Sequence, residues 1–421
     1  MFVDPDIGKS AQQLREERRA RIKAVHELQV PDRVPISCPI GYFPAKFAGI
    51  PFSAAYNDFA AWYNAVKKAL DEFRPDTFGS EMFQSGKALS MLELKTARWP
   101  GFGVDPYHGH QAIEVEGLKA DEFDLYMQDP DDYMMRVHLP RISDRMKGMA
   151  SMPSFFQLFN GPGSAQALAM AFSDPDVADV LALLQESGRE MRKVQSEQEK
   201  LQELMESYGY HSRPATWALP PFDIVSHSLR GMNGTIYDMF RQPNKLEELC
   251  EFILKRTLEQ TPLIRDEYGD ITIIMTNTRG SDDFLSKEQF DRFYWPGFKK
   301  LVTGLCEKGA VVSIFFEGNF DSRIEYLLEF PKGRFIARFD NSDIFRAKEI
   351  LSGHCCIEGN VPCSLLQTGT VDDVKAYCKK LIDVVGKDGG YTLSPRTSMD
   401  EVNPRNLKAM IDFTKEYGVY R

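Results

Sequence analysis

The chain has 421 residues, 43% of them apolar, and a formal net charge of −10. That length fits either two domains or one elaborated α/β barrel with a large core. The negative balance argues against a nucleic-acid or anionic-membrane surface, and no run approaches the roughly 18 consecutive apolar residues of a membrane-spanning helix.

The first twenty residues carry dispersed charge without an apolar core, so no signal peptide is expected. Seven cysteines, an odd number with no CxxC pair, fit a reducing cytoplasm and weigh against zinc-ribbon and thioredoxin-type sites. A cytoplasmic protein is expected.

Residues 10–28 read as a charged helix leading to a first strand at 34–38. A second helix at 59–73 puts Trp62, Val66 and Leu70 on one stripe. The region 76–117 is rich in Gly, Met and aromatics and reads as less regular. Within it His108 and His110 stand two residues apart. On extended backbone they would point the same way, which suits a metal or a proton donor; the alternative is two loop histidines in water. Residues 121–150 are acidic and then helical, 154–163 read as an apolar strand ending at Asn160, and 174–206 form a long helix whose charged second half faces solvent. A strand at 216–221 and an amphipathic helix at 242–266 follow.

The stretch 270–362 organises the chain. Its apolar runs, Ile271–Met275 and Val311–Phe316, are short and β-rich, as expected of strands covered on both faces. A helical pattern between them stops at Gly309, making the unit β-α-β and the sheet parallel. Each strand ends in polar residues: Asn277 with Asp282 and Asp283, Glu317 with Asn319, Asp340 with Asp343, and Glu358 with Asn360. Ligands bind at that end of α/β sheets. The continued alternation of strand and helix, without a Gly/Ser-rich linker, predicts one (β/α)8 TIM barrel (31–421) with an N-terminal helical extension (1–30) and helical insertions. No G-x-G-x-x-G, P-loop or G-x-S-x-G motif is present.

Three long collinear segments, PPFDIVSHSLRGMNGTIYDMFRQPNKLEEL at 220–248, LSKEQFDRFYWPGFKKLVTGLCEKGAVVSIFFEGN at 285–319, and IEGNVPCSLLQTGTVDDVKAYCKKLID with GGYTLSP within 357–395, resemble the uroporphyrinogen decarboxylase superfamily. The likeness runs from about Val34 to the C-terminus and is strongest toward its corrinoid-dependent methyltransferases. It implies a TIM barrel whose mouth receives a corrinoid protein. Porphyrinogen decarboxylases carry an Arg-rich segment near the first strand, whereas here CPIGYFPAKFAGI has one Lys and no Arg. The zinc positions of the methylcorrinoid:thiol branch fall on Phe315, Glu317 and Thr397, which cannot bind zinc as that branch does.

Methyl donation to a Co(I) corrinoid is the expectation that the resemblance leaves, with a methoxylated aromatic as the small methylated donor. A decarboxylase, a methylcorrinoid:thiol methyltransferase and a non-catalytic binding protein are the alternatives. An ether needs help with its leaving oxygen, from a Lewis acid or a proton. Glu317, Asp340, Glu358 and His110 are the catalytic candidates. Zn2+ held by Glu317, His354 and Cys363 is the Lewis-acid version, since His354, Cys356 and Glu358 would alternate onto one face of a strand. Each carboxylate could instead cap a helix or pair with Arg338, Arg346 or Arg396. Asn277, Phe159, Trp217, Phe316 and Asn360 are the expected substrate contacts, and the acidic mouth would also suit a cationic methylamine. A homodimer is compatible with this reading.

Overall fold

In the computed structural model, residues 2–79, 84–158, 163–211, 214–397 and 399–420 are described. Eight parallel strands form the barrel: β1 (Ser37–Pro39), β2 (Thr77–Gly79), β3 (Ala215–Trp217), β4 (Thr272–Asn277), β5 (Val311–Phe316), β6 (Phe335–Phe339), β7 (Cys356–Glu358) and β8 (Tyr391–Thr392). β3 to β8 pair in sequence order as one six-stranded sheet, and β1 pairs with β2. The two sheets join where Ser37 N–H donates to the Leu393 carbonyl and Leu393 N–H to the Pro35 carbonyl, both at 2.9 Å. Among the described residues no ladder joins β2 to β3. Side chains meet there instead, with the Tyr210 hydroxyl donating to the Pro75 carbonyl at 3.2 Å and its ring 5.7 Å from that of Phe78.

β4 and β5 show why the carboxyl ends carry chemistry. Alternate residues (Ile273, Met275, Asn277; Val312, Ile314, Phe316) are fully buried against the helices, and Phe316 packs on Phe298 of the helix between β4 and β5. The other set (Thr272, Ile274, Thr276; Val311, Ser313, Phe315) therefore faces the barrel lumen. Register extends this assignment to Trp217 beside Ile274, Arg338 beside Phe315, and Glu358 beside Arg338.

The N-terminal extension closes the opposite end. Its helix α1 (Ala11–His26) is opened by a capping box from Ser10 to Gln13, and Val25 packs on Ile336, Cys356 and Val311 at the floor of the lumen. Asp76, just before β2, accepts from both Arg33 guanidinium nitrogens at 2.7 and 2.9 Å, from Ile36 N–H at 2.8 Å and from Arg21 of α1. At the other edge of the floor, Lys415 in the last helix donates to Asp4 at 2.8 Å and Asp6 at 2.7 Å.

Between β2 and β3 lies a large insertion with a three-stranded sheet (Ala97–Pro100, Gly103–Val104, Gln111–Ala112) and a 33-residue helix, Pro175–Ser207. It has its own core of Met146, Met149, Met152, Val177 and Val180. The strand expected at 154–163 does not form over its first described part: Phe155–Leu158 is a helical turn with Phe156 88% exposed, and residues 159–162 lie outside the described residues. Phe155 and Phe156 lie at the surface, and Leu158 alone of the turn is buried. The strand expected at 216–221 stops at Trp217 because Pro220 and Pro221 open a helix instead. No described helix is long and apolar enough to cross a membrane.

Burial alone would raise the Asp76 carboxyl, but Arg33 and Arg21 overturn that and hold it far below the usual carboxylate range. Its stabilising contribution is therefore complete above the unfolded pKa of about 4 and is lost as pH falls below it. Asp76→Asn leaves Arg33 and Arg21 buried without their anion and should lower the urea-unfolding free energy by about 3 to 5 kcal/mol at neutral pH. The gap between the variant and the wild-type protein should narrow in acid.

Candidate functional site

The three predicted carboxylates face the lumen at two depths. Glu358 is deeper, 9% exposed, with its Oε1 3.1 Å from Arg338 Nε. That contact is an ion pair without hydrogen-bond alignment, since Nε has no bonded partner. The Arg338 guanidinium also lies over the Phe315 ring at 5.2 Å.

Glu317 and Asp340 stand one step higher, just beyond the paired ends Phe316 and Phe339. Between them Gly318, at φ +91°, turns its N–H to the Asp340 Oδ2 at 3.1 Å, a conformation that a side chain would strain. Asn341 Nδ2 adds a donor to the same oxygen at 3.2 Å. Burial raises the Asp340 pKa against the pull of the Gly318 amide and Arg396. Glu317 is exposed to the mouth and accepts from the Thr278 hydroxyl at 3.0 Å.

Other expectations are corrected. Asn277 is shell-side and fully buried, its Oδ1 2.7 Å from the Tyr294 hydroxyl, so it cannot touch a ligand in the lumen. Phe316 is shell-side too; Phe315 is the lumen ring. Asn360 is buried and donates to the Asp340 and Ser342 carbonyls, both at 3.1 Å, which holds the turn after β6. Asp343 is the N-cap of Ile344–Leu351. Trp217 is on the lumen face and 58% exposed, free to cover a ligand. Phe159 lies outside the described residues.

The zinc set does not assemble. His354 lies in the turn before β7, at the floor, where Nε2 meets the Phe330 carbonyl at 3.1 Å and the ring contacts Phe335. Cys363 follows the opposite end of that strand, its Sγ 3.8 Å from the Thr397 carbonyl and its thiol pKa raised by burial. Among the described residues no three His, Cys, Asp or Glu side chains stand close enough to hold a metal ion. The expectation failed because alternation does not persist through Gly353 and His354, which form a turn.

His110 does reach the mouth, in a separate cluster. Its Nδ1 is 3.0 Å from the Tyr42 hydroxyl, which is 2.6 Å from that of Tyr56. Asp400, after β8, accepts Tyr42 N–H at 2.8 Å, and burial raises its pKa. A separate surface cleft of about 650 Å3, lined by Glu114, Arg230, Tyr237 and Arg241 among others, contains none of the predicted site residues.

Sequence reasoning missed Asp223, at the carboxyl end of β3, although the rule applied to β4–β7 points to it. It is 1% exposed and accepts from Tyr294 Oη at 2.6 Å, Arg279 N–H at 2.9 Å and Thr278 N–H at 3.4 Å. One phenolic proton cannot serve both Asp223 and Asn277, so either a protonated Asp223 or a turned Asn277 amide supplies the second donor. Gly280 is required beside them, because a Cβ would fall 2.4 Å from Asn277 Oδ1. Burial pushes the Asp223 pKa up to about 6, against the Tyr294, Arg279 and Thr278 hydrogen bonds. A folded-state pKa above the unfolded one means that stability falls as pH rises from about 4 to about 6, by about 3 kcal/mol. Urea unfolding across that interval should show this decline in the wild-type protein and lose it in Asp223→Asn.

The uroporphyrinogen decarboxylase family model matches residues 215–417, from β3 through the last helix. A solved structure described as a methyltransferase from Methanosarcina mazei matches over 97% of this chain and 99% of that one, with a TM-score of 0.58 at 12% identity. The barrel order and the polar strand ends accompany this likeness, and residues 215–417, from β3 through the last helix, are similar to the uroporphyrinogen decarboxylase family.

Proposed function

We propose that the chain is a methyltransferase that moves a methyl group from a small methoxylated aromatic to the Co(I) of a corrinoid protein docked at the barrel mouth. The observation that carries this reading is Asp340, a lumen carboxyl that burial keeps inclined to hold a proton, next to Glu317 at the same rim. The likeness to a methanogen methyltransferase is consistent with it. The corrinoid acceptor supplies the nucleophile. As the methyl carbon leaves, the C–O bonding pair stays on oxygen, and Asp340 gives its proton to that oxygen. Glu317, exposed and held by Thr278, orients the donor and recharges Asp340 from solvent. Phe315 and Trp217 supply ring surfaces for an aromatic donor.

The same geometry favours the aromatic ether over a cationic methylamine. Arg338 counters the charge of Glu358, and burial raises the pKa of Asp340, so two of the three lumen carboxyls offer a cation less than a free carboxylate would. Decarboxylation of a polycarboxylate would call on cations such as Arg338 and Arg396, and both are engaged, the former with Glu358 and the latter with the Asn341 side chain at 2.8 Å.

In a cobalt spectral assay with a free Co(I) corrinoid and guaiacol-like donors, Asp340→Asn should lower kcat by about 100-fold or more, the usual worth of a general acid. Donors whose phenol is more acidic should lose less, because they need the proton less. An equal loss for all donors would take Asp340 out of the acid role, and release of CO2 without methyl transfer would favour the decarboxylase. Glu317→Gln should abolish transfer with the fold intact by circular dichroism; full activity would remove Glu317 from the mechanism.

A further inference from the structure

Thr278 is the residue through which a buried part of the barrel reaches the rim. Its hydroxyl donates to Glu317 Oε2 at 3.0 Å, while its backbone N–H and that of Arg279 point back to the two oxygens of Asp223 at 3.4 and 2.9 Å. Asp223 is fixed in turn by Tyr294 from the shell helix and faces His227 Nε2 at 3.7 Å. Arg279 is pinned on its far side by Glu114 and by the Ser226 hydroxyl, the latter at 3.0 Å. The turn after β4 is thus held from the carboxyl end of β3, and the Thr278 hydroxyl is aimed at an exposed carboxylate just beyond β5. An exposed Glu otherwise samples several rotamers. A single donor on a fixed backbone selects one of them.

We infer that Asp223 and Thr278 form a positioning pair that sets the orientation of Glu317, Asp223 by anchoring the β4 turn and Thr278 by its hydroxyl. The inference rests on the proposed methyl transfer only for its kinetic consequence. Neither residue touches the donor; both act through Glu317.

The test combines kinetics with crystallography. In the Co(I) corrinoid assay with guaiacol-like donors, Asp223→Asn and Thr278→Val should each lower kcat about tenfold with KM within about twofold, the pattern of a lost transition-state interaction. Thr278→Ser, which keeps the hydroxyl, should retain wild-type kcat. The double variant should be no worse than the poorer single one, because both changes break one path. In a crystal structure of Asp223→Asn the bond from Thr278 to Glu317 should be open. Multiplying losses, a Thr278→Ser as poor as Thr278→Val, or an intact bond in Asp223→Asn would overturn the pair. Thr278→Val leaves the buried network whole and carries the kinetic test if Asp223→Asn does not fold. Should the wild-type protein transfer no methyl group, the functional reading fails, and the crystal structures alone decide the positioning pair.

Discussion

The barrel depends on a buried anion that ties its first two strands to the helix beneath them. Asp76 stands where α1, the approach to β1 and the approach to β2 meet, and Arg21, Arg33 and the Ile36 amide all turn to it. A buried carboxylate with so many donors costs much less than an unpaired one, and removing any partner leaves a charge without water. Because β1 and β2 have only three residues each, strand pairing alone gives them little. The ion cluster at the floor sets their register, and through β1 the closure onto β8.

A fixed floor leaves the upper lumen room to be polar. Stability comes from the shell-side residues and the plug at Val25, so the lumen face can hold Arg338, Glu358, Asp340 and Glu317. Their environments differ. Glu358 is neutralised by an adjacent guanidinium, Asp340 is half-buried and drawn toward its neutral form, and Glu317 faces solvent. Three carboxylates of one lumen thereby meet three surroundings, an ion pair, partial burial and open solvent.

How much of this could be read in the residues follows from which signals are local. The runs at Ile271–Met275 and Val311–Phe316, and the polar ends after them, identified the parallel strands and brought Glu317, Asp340 and Glu358 to one lumen. Depth and partner were not legible, because the Arg338–Glu358 pair depends on cross-strand register. The assignments of Asn277 and Phe316 failed by parity: a strand end is not a lumen position unless its phase is known, and a one-residue shift changes the face. β2 was hidden because Thr77–Gly79 has no apolar run and is defined by its pairing with β1. Asp223 was passed over because the two prolines before it masked the end of β3.

The strict two-residue alternation along β4 and β5 also divides the protein's evolutionary freedom. Alternate positions, even-numbered in β4 and odd-numbered in β5 on the lumen side, face different physical demands, one set the packing of the helical shell and the other whatever enters the barrel. A lineage can therefore exchange Ile274, Ser313 or Phe315 to admit a new guest while the neighbouring Ile273, Val312 and Phe316 go on holding the scaffold.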